Sequence, residues 1–496
     1  MLCRSVASAR WLSMVSRAGE EHSTARSADR SAPTSRSRSG SVTVRLDPKV
    51  KASIAAIAAA WPRWLGTVRI EDSWVYRLDS QSKPTDGRSM LRVATMDPSA
   101  SVRGHLYDPF DSAVQDDPYP VYERLRADHP VYWAAPSNTW VLSRRADVEA
   151  AVLDPGTYSS ASGIFPVPAG MDMAQMFLPM MIMADPPRHT QLRALVTRGF
   201  TARRIAAMAD SVTAIALELV QDFAEAGNCD LVADFAGPLP AMVIADLLGV
   251  PREDRPQFRQ WSRTLVQADP VHDQSGTGLA AAAALYEYFA GFLAERRRQP
   301  RDDLISALVT AEVDGQRLSE EELLGFCLLL LVAGHETTTN LLANSAVVLA
   351  QSPASRRRLL QEPALLAAAV EELLRFDSPV QGLARTLTRD VSAHGVTMPA
   401  GDTVLLLFGS ANRDERVFPG AHLFDIDRRA DRHLAFGRGI HFCLGAALAR
   451  LEARTALHVL LRSCPDWEVD LDAAERLRSG PIRGYATLPM HWSPHN

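Results

Sequence analysis

Hydrophobic and polar positions follow a helical period along most of the chain. From Arg188 to Gln381 apolar residues recur at the spacing of one face of an amphipathic helix. Strand-like pieces, at Thr386 to Leu387 and Val404 to Leu407, are short and come late in the chain. The pattern therefore predicts a mainly α-helical fold with small β-sheets.

One long helix can be placed from its start signal. Ser319 followed by Glu322 is a capping box, in which the two side chains satisfy backbone amides just ahead of the apolar run Leu323 to Ala333. Helix-forming residues continue to about Ala350, and some thirty residues at 1.5 Å each give a rod of about 45 Å. We expect this helix to cross the domain and to be buried along most of its length. The apolar run is shorter than the ~20 residues that span a bilayer, so we expect no membrane anchor.

The beginning of the chain differs from the rest. Residues 1–45 are rich in Ser and Arg and have hardly any periodic apolar pattern, so this segment cannot bury enough surface to fold alone. We interpret residues 1–95 as an N-terminal extension outside the native core, either disordered or translated from upstream of a true start at Met96. A targeting peptide is the alternative that we favour less.

Residues 96–496 are predicted to form one domain around a single core. Within it, the Gly-, Pro- and Met-rich stretch from Tyr158 to Ala184 has neither a helical nor a strand period, so we expect a long ordered loop there. No internal repeat is found in the sequence.

Composition and charge exclude several classes of protein. With 53 Lys and Arg against 58 Asp and Glu, the formal net charge is -5, and this balance offers no basic surplus for nucleic acid. The five cysteines form no Cys-x-x-Cys pair, which excludes a zinc ribbon and a disulfide scaffold. A reducing compartment is the simplest inference, and we expect a cytoplasmic location.

The strongest chemical signal is the segment Phe-Gly-Arg-Gly-Ile-His-Phe-Cys-Leu-Gly at 436–445. Cys443 directly precedes a helical pattern, and the positive end of a helix favours the thiolate, the form that binds a soft metal. The glycines permit a tight turn and a close approach of backbone to a flat cofactor. The alternative is that Cys443 is only a small buried hydrophobic residue. That alternative would make the surrounding glycines, Phe436 and His441 coincidental.

This segment resembles the haem-binding signature of the cytochrome P-450 superfamily at every fixed position. The resemblance covers roughly residues 96–490 and is typical of the soluble bacterial type. It implies one domain of the cytochrome P-450 type, with heme b as cofactor and Cys443 as the proximal ligand to its iron. Phe436, Gly437 and Gly445 would then lie against the haem.

A second motif lies midway along the long helix, where Ala333 and Gly334 precede His335, Glu336 and Thr337. A glycine and three successive threonines are poor helix formers, so we expect a local distortion of the helix. In the family this groove holds dioxygen beside the haem, and the resemblance implies that the acid and the alcohol relay protons. His335 is interpreted as structural.

A zinc protease is the rival interpretation of the same motif. It would need a second histidine at position 339, where Thr339 stands. The histidine and glutamate of this motif therefore do not complete the zinc-binding pattern.

Two further sets of residues follow from the resemblance. Glu372 and Arg375 lie three apart on one helical face, and with a second arginine they would form the buried Glu-Arg-Arg network of the family. Arg428 is our choice for that second arginine, and Arg413 is the competitor.

Four cationic or donor side chains stand at positions that suit the two haem propionates. His189 and Arg193 are spaced i and i+4 and would project from one helical face. Arg385 and His441 would complete the set.

By this resemblance the protein is a monooxygenase that inserts one oxygen atom from dioxygen into a C–H bond of a small lipophilic substrate. The chain has no convincing Gly-x-Gly-x-x-Gly fingerprint, so we expect electrons from a separate ferredoxin and its reductase, with Arg438 a docking candidate. The predicted substrate pocket includes the loop around Met171 to Met183 and five apolar residues. These five residues are Leu329, Val332, Ala333, Val380 and Leu383.

Three alternatives to this function remain at this point. A peroxygenase would use peroxide and would have less need of a proton relay. A haem-based sensor or carrier would keep Cys443 without the acid and alcohol pair. A hydrolase without haem would have to use His335 and Glu336.

Overall fold

The computed structural model describes residues 106–166, 178–267, 277–313 and 315–493, and within these ranges helices predominate. The helices are α1 (Ser112–Asp116), α2 (Tyr119–Asp128), α3 (Arg145–Leu153), α4 (Arg188–Thr197), α5 (Ala202–Ala207), α6 (Ala209–Gln221), α7 (Pro238–Leu248), α8 (Arg255–Gln267), α9 (Thr277–Arg298), α10 (Leu304–Thr310), α11 (Glu320–Ala350), α12 (Pro353–Gln361), α13 (Leu366–Phe376), α14 (Phe408–Ala411) and α15 (Ala446–Ser463). A π-helical turn at Val232–Ala236 precedes α7.

The strands are short. They are β1 (Val131–Ala134), β2 (Thr139–Leu142), β3 (Tyr158–Ser159), β4 (Asn228–Asp230), β5 (Leu383–Leu387), β6 (Val391–Ala393), β7 (Val396–Met398), β8 (Thr403–Leu406), β9 (Glu468–Val469), β10 (Glu475–Arg476), β11 (Tyr485–Thr487) and β12 (Pro489–His491). The predicted fold class, mainly helical with small sheets, is confirmed. The predicted extension at 1–95 and the start at Met96 lie outside the described residues.

Helix α11 is the long helix that the capping box predicts. The Glu322 amide donates to Ser319 Oγ at 3.2 Å and the Ser319 amide donates to Glu322 Oε2 at 2.9 Å. The helix runs for 31 residues, or about 47 Å at 1.5 Å per residue, and it is buried from Leu323 to Leu328 and from Thr338 to Leu349. In the described part of the chain it is the one helix long and apolar enough to cross a membrane. Its burial inside the protein accounts for that apolar character.

The main apolar core surrounds α11, which packs against α7, α9 and α15. Leu342 and Ala346 of α11 are buried in it together with Phe289 of α9 and Leu457 of α15. The indole of Trp467 donates to the Ala346 carbonyl at 3.0 Å. A helix buried on several sides needs apolar residues around its whole circumference, which explains its nearly continuous run of leucines.

A five-stranded sheet with the order β1-β2-β8-β5-β3 lies beside the helical core. Strands β2 and β8 are parallel, whereas β5 pairs antiparallel to β8 with Arg385 opposite Val404. The sheet therefore sets the position of Arg385. The predicted strands fall within one or two residues of these, except that β5 begins three residues earlier, at Leu383.

The predicted loop from Tyr158 to Ala184 is only partly described, because residues 167–177 lie outside the described ranges. Its beginning forms β3, and Met181–Met183 form a 3-10 turn. The loop crosses α11 at Gly325, where a Cβ atom would lie 2.3 Å from the Pro179 carbonyl oxygen. Glycine at 325 therefore permits the loop to pass this close to the helix.

Glu452 of α15 is a buried carboxyl group that predicts a pH dependence of stability. Its side chain is 2% exposed, Oε2 has no hydrogen-bond partner, and burial raises its pKa to about 8. An ordinary carboxyl in the unfolded chain ionises near 4.5, so the folded state binds more protons between these values and stability falls as the pH rises through them.

We expect Glu452→Gln to abolish this loss, which amounts to about 3 kcal/mol between about pH 5 and pH 7 at 1.36 kcal/mol per pH unit. Urea unfolding at a series of pH values measures it, with the exposed Glu218→Gln as the matched control. Parallel stability curves for Glu452→Gln and the unaltered protein would contradict the prediction.

Candidate functional site

Cys443 lies in a turn that its glycines make possible. Gly437 and Gly439 have φ angles of 66° and 67°, a left-handed conformation that side chains with Cβ rarely adopt. A Cβ on Gly439 would also lie 2.7 Å from the Val152 carbonyl oxygen of α3. The Cys443 amide donates to the Phe436 carbonyl at 2.9 Å and closes the turn. The thiol is thereby held just before the first turn of α15.

The electrostatics of this thiol differ from the expectation. Burial raises the pKa of the half-buried Cys443 thiol, although the Gly445 amide and the charges of Arg193 and Arg450 act in the opposite direction. The sequence predicts that the helix start favours the thiolate, and the Gly445 amide does act in that direction, but desolvation is the larger effect and the pKa is raised overall. A metal ion bonded to the sulfur would remove the proton outright.

Four basic side chains converge beside the Cys443 turn. The rings of His189 and His441 are 4.4 Å apart between centroids, and Arg193 and Arg385 act electrostatically on the His441 ring. Burial, then Arg385, His189 and Arg193, lower the pKa of His441 to about 3. Burial likewise lowers the pKa of Arg385 to about 10. Each positive charge in this cluster disfavours the charged form of its neighbours, so a bound anion would stabilise the charged form of all of them.

Unsatisfied hydrogen-bonding groups mark the same cluster. His189 is 2% exposed, yet neither of its ring nitrogens has a hydrogen-bond partner. Arg385 Nη1 donates to the carbonyl of its sequence neighbour Ala384 at 2.7 Å. Asp185 is the nearby carboxylate, but it accepts hydrogen bonds from Ser159 and Ser160. Buried polar groups without partners are rare, so this cluster is suited to bind an acidic group.

The middle of α11 has an open face. Leu329, Val332, Glu336 and Thr337 are half-buried and Ala333 is exposed, although the residues on both sides along the helix are buried. A Cβ on Gly334 would lie 2.7 Å from Ile244 Cδ1 of α7, so that glycine serves the close packing of the two helices. The open face is the surface on which a ligand could lie.

The expected distortion of this helix is not found. Residues 320–350 form one uninterrupted α-helix. Thr337 Oγ1 donates to the Ala333 carbonyl at 2.7 Å and Thr339 Oγ1 donates to the His335 carbonyl at 2.9 Å. These side-chain bonds to the preceding turn satisfy the threonine hydroxyls without breaking the backbone ladder, and tertiary packing keeps the helix intact.

Glu336 has the electrostatic character of a proton carrier. Burial raises its pKa to about 7. At neutral pH such a carboxyl group is present in both protonation states, so it can give up a proton and take one back. It lies on the open face of α11, next to the hydroxyl of Thr337.

Glu372, Arg375 and Arg428 form a buried ion cluster. Arg375 is bonded to Glu372 through two hydrogen bonds of 2.6 and 2.7 Å, and Arg428 Nε lies 3.2 Å from Glu372 Oε1. Arg413 does not join the cluster, because its guanidinium stacks on the rings of Tyr119 and Phe376. The structure thus places Arg428, rather than Arg413, against Glu372.

The same cluster braces the backbone ahead of the Cys443 turn. Arg375 Nη1 donates to the carbonyls of Asn412 and Ala421 at 3.0 and 2.9 Å, and the Asp425 amide donates to Glu372 Oε1 at 3.1 Å. These bonds tie the segment between α14 and the Cys443 turn to α13.

Sequence reasoning missed a second ion cluster at this site. Arg450 of α15 donates to Glu371 at 2.6 and 2.8 Å, and His433 Nε2 lies 3.1 Å from Glu371 Oε2. The guanidinium of Arg450 lies 4.6 Å from the ring centroid of Phe436. The position of Glu371 directly before Glu372 was a sequence signal for a second buried acid, but nothing in the spacing connects Glu371 with Arg450.

The remaining predicted residues lie as follows. Val380 and Leu383 are half-buried at the start of β5, beside the apolar cluster of the sheet. Arg438 is bonded to Glu149 of α3, with its side chain 47% exposed. No group of three or more potential metal-ligating side chains occurs in the described ranges, and His335 is buried away from other such groups.

Comparison with known proteins identifies the family of this chain. The family model for Cytochrome P450 matches residues 115–473. Cytochrome P450 130 of Mycobacterium tuberculosis is 42% identical over 74% of this chain and 93% of its own length. Vitamin D(3) 25-hydroxylase of Pseudonocardia autotrophica is 41% identical over 79% of this chain and 97% of its own length.

A solved structure has the same fold. The crystal structure of CYP109E1 from Bacillus megaterium in complex with testosterone superimposes with a TM-score of 0.69 at 36% identity, covering 76% of this chain and 99% of that one. The matched region includes Cys443 and its turn, the open face of α11 and both ion clusters. The chain belongs to the cytochrome P450 family of haem monooxygenases, as the segment around Cys443 predicted.

Proposed function

We propose that the protein uses heme b to insert one atom of dioxygen into a C–H bond of a small lipophilic substrate, with electrons from a ferredoxin and its reductase. The observation that carries the proposal is the placement of Cys443. Its thiol stands in a glycine turn at a helix start, beside a cluster of basic side chains in which the buried His189 ring has no hydrogen-bond partner. A flat cofactor with a metal centre and two carboxylates fits both features.

The residues present fit a haem. Cys443 would bind the iron, and Phe436, Gly437, Gly445, Ala333 and Gly334 would contact the ring. The propionates would be held by His189, Arg193, Arg385 and His441, because these basic groups lie close together and the ring nitrogens of His189 have no hydrogen-bond partner. When bound, haem with a thiolate ligand supplies the redox chemistry that cleaves dioxygen and oxidises the substrate.

The protein itself supplies protons and a dry surface. Glu336 would pass protons to the open face of α11, since its pKa of about 7 lets the carboxyl group exchange them at neutral pH. Thr337 Oγ1 lies on the same face of α11 and donates to the Ala333 carbonyl. From this position the hydroxyl would help to bind dioxygen. The Glu372, Arg375 and Arg428 cluster would act as a brace and not in the chemistry.

The predicted pocket residues favour a lipophilic substrate. Leu329, Val332 and Ala333 on the open face of α11, with Val380 before β5 and Leu383 at its start, offer apolar surface. One relative is named as a vitamin D(3) hydroxylase and one similar structure holds testosterone. Rigid polycyclic lipids are therefore the substrates to test first.

Electron supply and location belong to the same proposal. Arg438 is half-exposed beside the exposed side chains of Phe442 and Leu153, which is a mixed basic and apolar surface suited to an acidic ferredoxin. We propose a cytoplasmic protein without a membrane anchor. We also propose that residues 96–496 form the functional domain and residues 1–95 an extension to it.

Spectroscopy and turnover test the proposal. The reduced, carbon-monoxide-bound protein should show the Soret band of a thiolate ligand, and testosterone should shift the spin state more than lauric acid does. Product analysis with a plant-type ferredoxin system, against peroxide alone, separates the monooxygenase from a peroxygenase. A colourless protein, or one that binds haem but oxidises nothing in either system, would overturn the proposal.

Removing the acid of the proposed relay should reduce the rate strongly. We expect Glu336→Gln to lower the ferredoxin-driven rate of hydroxylation by about a hundredfold, the lower end of the range for acid and base catalysis. The rate of the unaltered protein should fall as the pH rises through about 7, where Glu336 loses its proton, and Glu336→Gln should lack this fall.

Glu320→Gln, the same change in the first turn of α11, serves as the control and should keep both the rate and the pH profile. Peroxide-driven turnover bypasses dioxygen activation and should be affected much less. Equal losses in the two reactions would exclude Glu336 from proton transfer.

A further inference from the structure

His335 lies between the residues of the open face but points away from them. Its ring is 4% exposed, whereas Ala333, Glu336 and Thr337 around it in sequence face the opening. Its Nδ1 lies 2.6 Å from Ser262 Oγ of α8, and Ser262 is fully buried. This is a direct polar link between α8 and the middle of α11, two helices that otherwise meet through apolar contacts.

The second ring nitrogen faces the Gly237 backbone. His335 Nε2 lies 3.9 Å from the position of a Cβ built on Gly237, and the Gly237 backbone acts to raise the pKa of the ring. Burial has the larger effect and keeps the ring neutral by lowering its pKa to about 4. A neutral imidazole has one donor and one acceptor, and Nδ1 uses its one bond on Ser262.

Gly237 itself ends an unusual piece of backbone. Its amide donates to the Val232 carbonyl at 3.0 Å and closes the π-helical turn at Val232–Ala236. A Cβ at position 237 would lie 2.9 Å from the same carbonyl oxygen, so the turn depends on glycine there. Turns of this kind are rare and often occur at functional sites. His335 therefore bonds α11 to α8 and lies close to the backbone that leads into α7.

The position of this link along α11 determines what it can do. Neighbouring residues on a helix are about 100° apart around its axis, so holding His335 also holds the directions of Glu336 and Thr337. Gly334 directly precedes His335, and the Ile244 side chain that packs against Gly334 restricts rotation of the helix there too. A rotation of α11 at this step would turn the Glu336 carboxyl away from the opening.

We infer that His335, held by Ser262 and packed close to Gly237, is a positioning residue that aims Glu336 and Thr337 at the reacting oxygen. The inference rests on the proposed function of that pair. Loss of the Ser262 bond would let α11 rotate at this step. The two electrons and two protons supplied per dioxygen would then leave as hydrogen peroxide, instead of one oxygen atom leaving as water and the other entering the substrate. The effect should appear in the fate of the electrons more than in folding.

Ser262→Ala tests the inference, because it removes one hydroxyl and little volume. Ser262→Thr restores the hydroxyl, and Ser345→Ala makes the same change at a buried α11 serine whose hydroxyl has no partner. The haem-loaded proteins are supplied with NADPH, a plant-type ferredoxin with its reductase, and testosterone as the probe. Hydrogen peroxide released per NADPH is measured, together with deuterium exchange of the peptide covering residues 333–339 in the resting protein.

We expect Ser262→Ala to raise the peroxide yield about five- to tenfold, which is the size of effect that one hydrogen bond can have. Exchange in residues 333–339 should also accelerate, Ser262→Thr should reverse both changes, and Ser345→Ala should show neither. A peroxide yield from Ser262→Ala within twofold of that from Ser345→Ala would overturn the inference, whatever the exchange rates. Failure of the proposed function would instead show in the unaltered protein, as the absence of the thiolate spectrum or of any oxidised product.

Discussion

Replacement of Cys443 by serine is expected to abolish the reduced carbonyl Soret band of a thiolate ligand and to reduce hydroxylation to background. Loss of an outer partner of a metal ligand lowers metal affinity or activity by up to about a hundredfold, and loss of the ligand itself should exceed that. The serine hydroxyl fits the same turn, since the Cys443 amide and not its side chain bonds to Phe436. The fold should therefore survive.

Cys229→Ser provides the matched control, because Cys229 is also a half-buried free cysteine but lies on β4, away from the site. Its spectrum and activity should stay unchanged. The measurements are the absorption spectra of the reduced, carbon-monoxide-bound variants and the haem content of each variant. An unaltered Soret band in Cys443→Ser would remove the basis of the proposed function.

Replacement of Glu372 by leucine should be the most destabilising substitution that we predict. Glu372 and Arg375 are both 0% exposed, and the change would leave the Arg375 guanidinium, and that of Arg428, without their carboxylate. Removing one partner of a buried ion pair typically costs about 3–5 kcal/mol. The bonds from Arg375 to the carbonyls of Asn412 and Ala421 should loosen too, so retention of haem should fall.

Urea unfolding measures this loss of stability, and two further variants show what causes it. Glu362 directly follows α12 and forms an exposed pair with Arg358 of that helix, so Glu362→Leu should cost less than about 1 kcal/mol. Combining Glu372→Leu with Arg375→Leu removes the unpaired buried charge and should recover part of the stability. A loss for Glu372→Leu as small as that for Glu362→Leu would mean that the cluster is not a brace.

Local signals in the sequence predicted local structure well. The capping box at Ser319 and Glu322 is present with both of its hydrogen bonds. The glycines at 437 and 439 adopt the left-handed conformation that a tight turn before α15 needs. These features depend on a few neighbouring residues, and the physics that decides them acts over the same short range.

Signals that depend on packing were predicted less well. The threonines at 337–339 suggested a distorted helix, but contacts with α7 and α9 keep α11 regular. The helix start suggested a lowered pKa for Cys443, but burial raises it. In both cases the local preference is smaller than the effect of the surrounding protein.

The sequence by itself determined the fold class, the family and the long helix, and it singled out Cys443 as the candidate iron ligand. Only the tertiary structure decided that Arg428 rather than Arg413 reaches Glu372, that Glu371 binds Arg450, and that His335 is bonded to Ser262. The physical reason is distance along the chain. Periodicity, caps and turns are properties of adjacent residues, whereas burial and ion pairs depend on which distant segments the folded chain brings together.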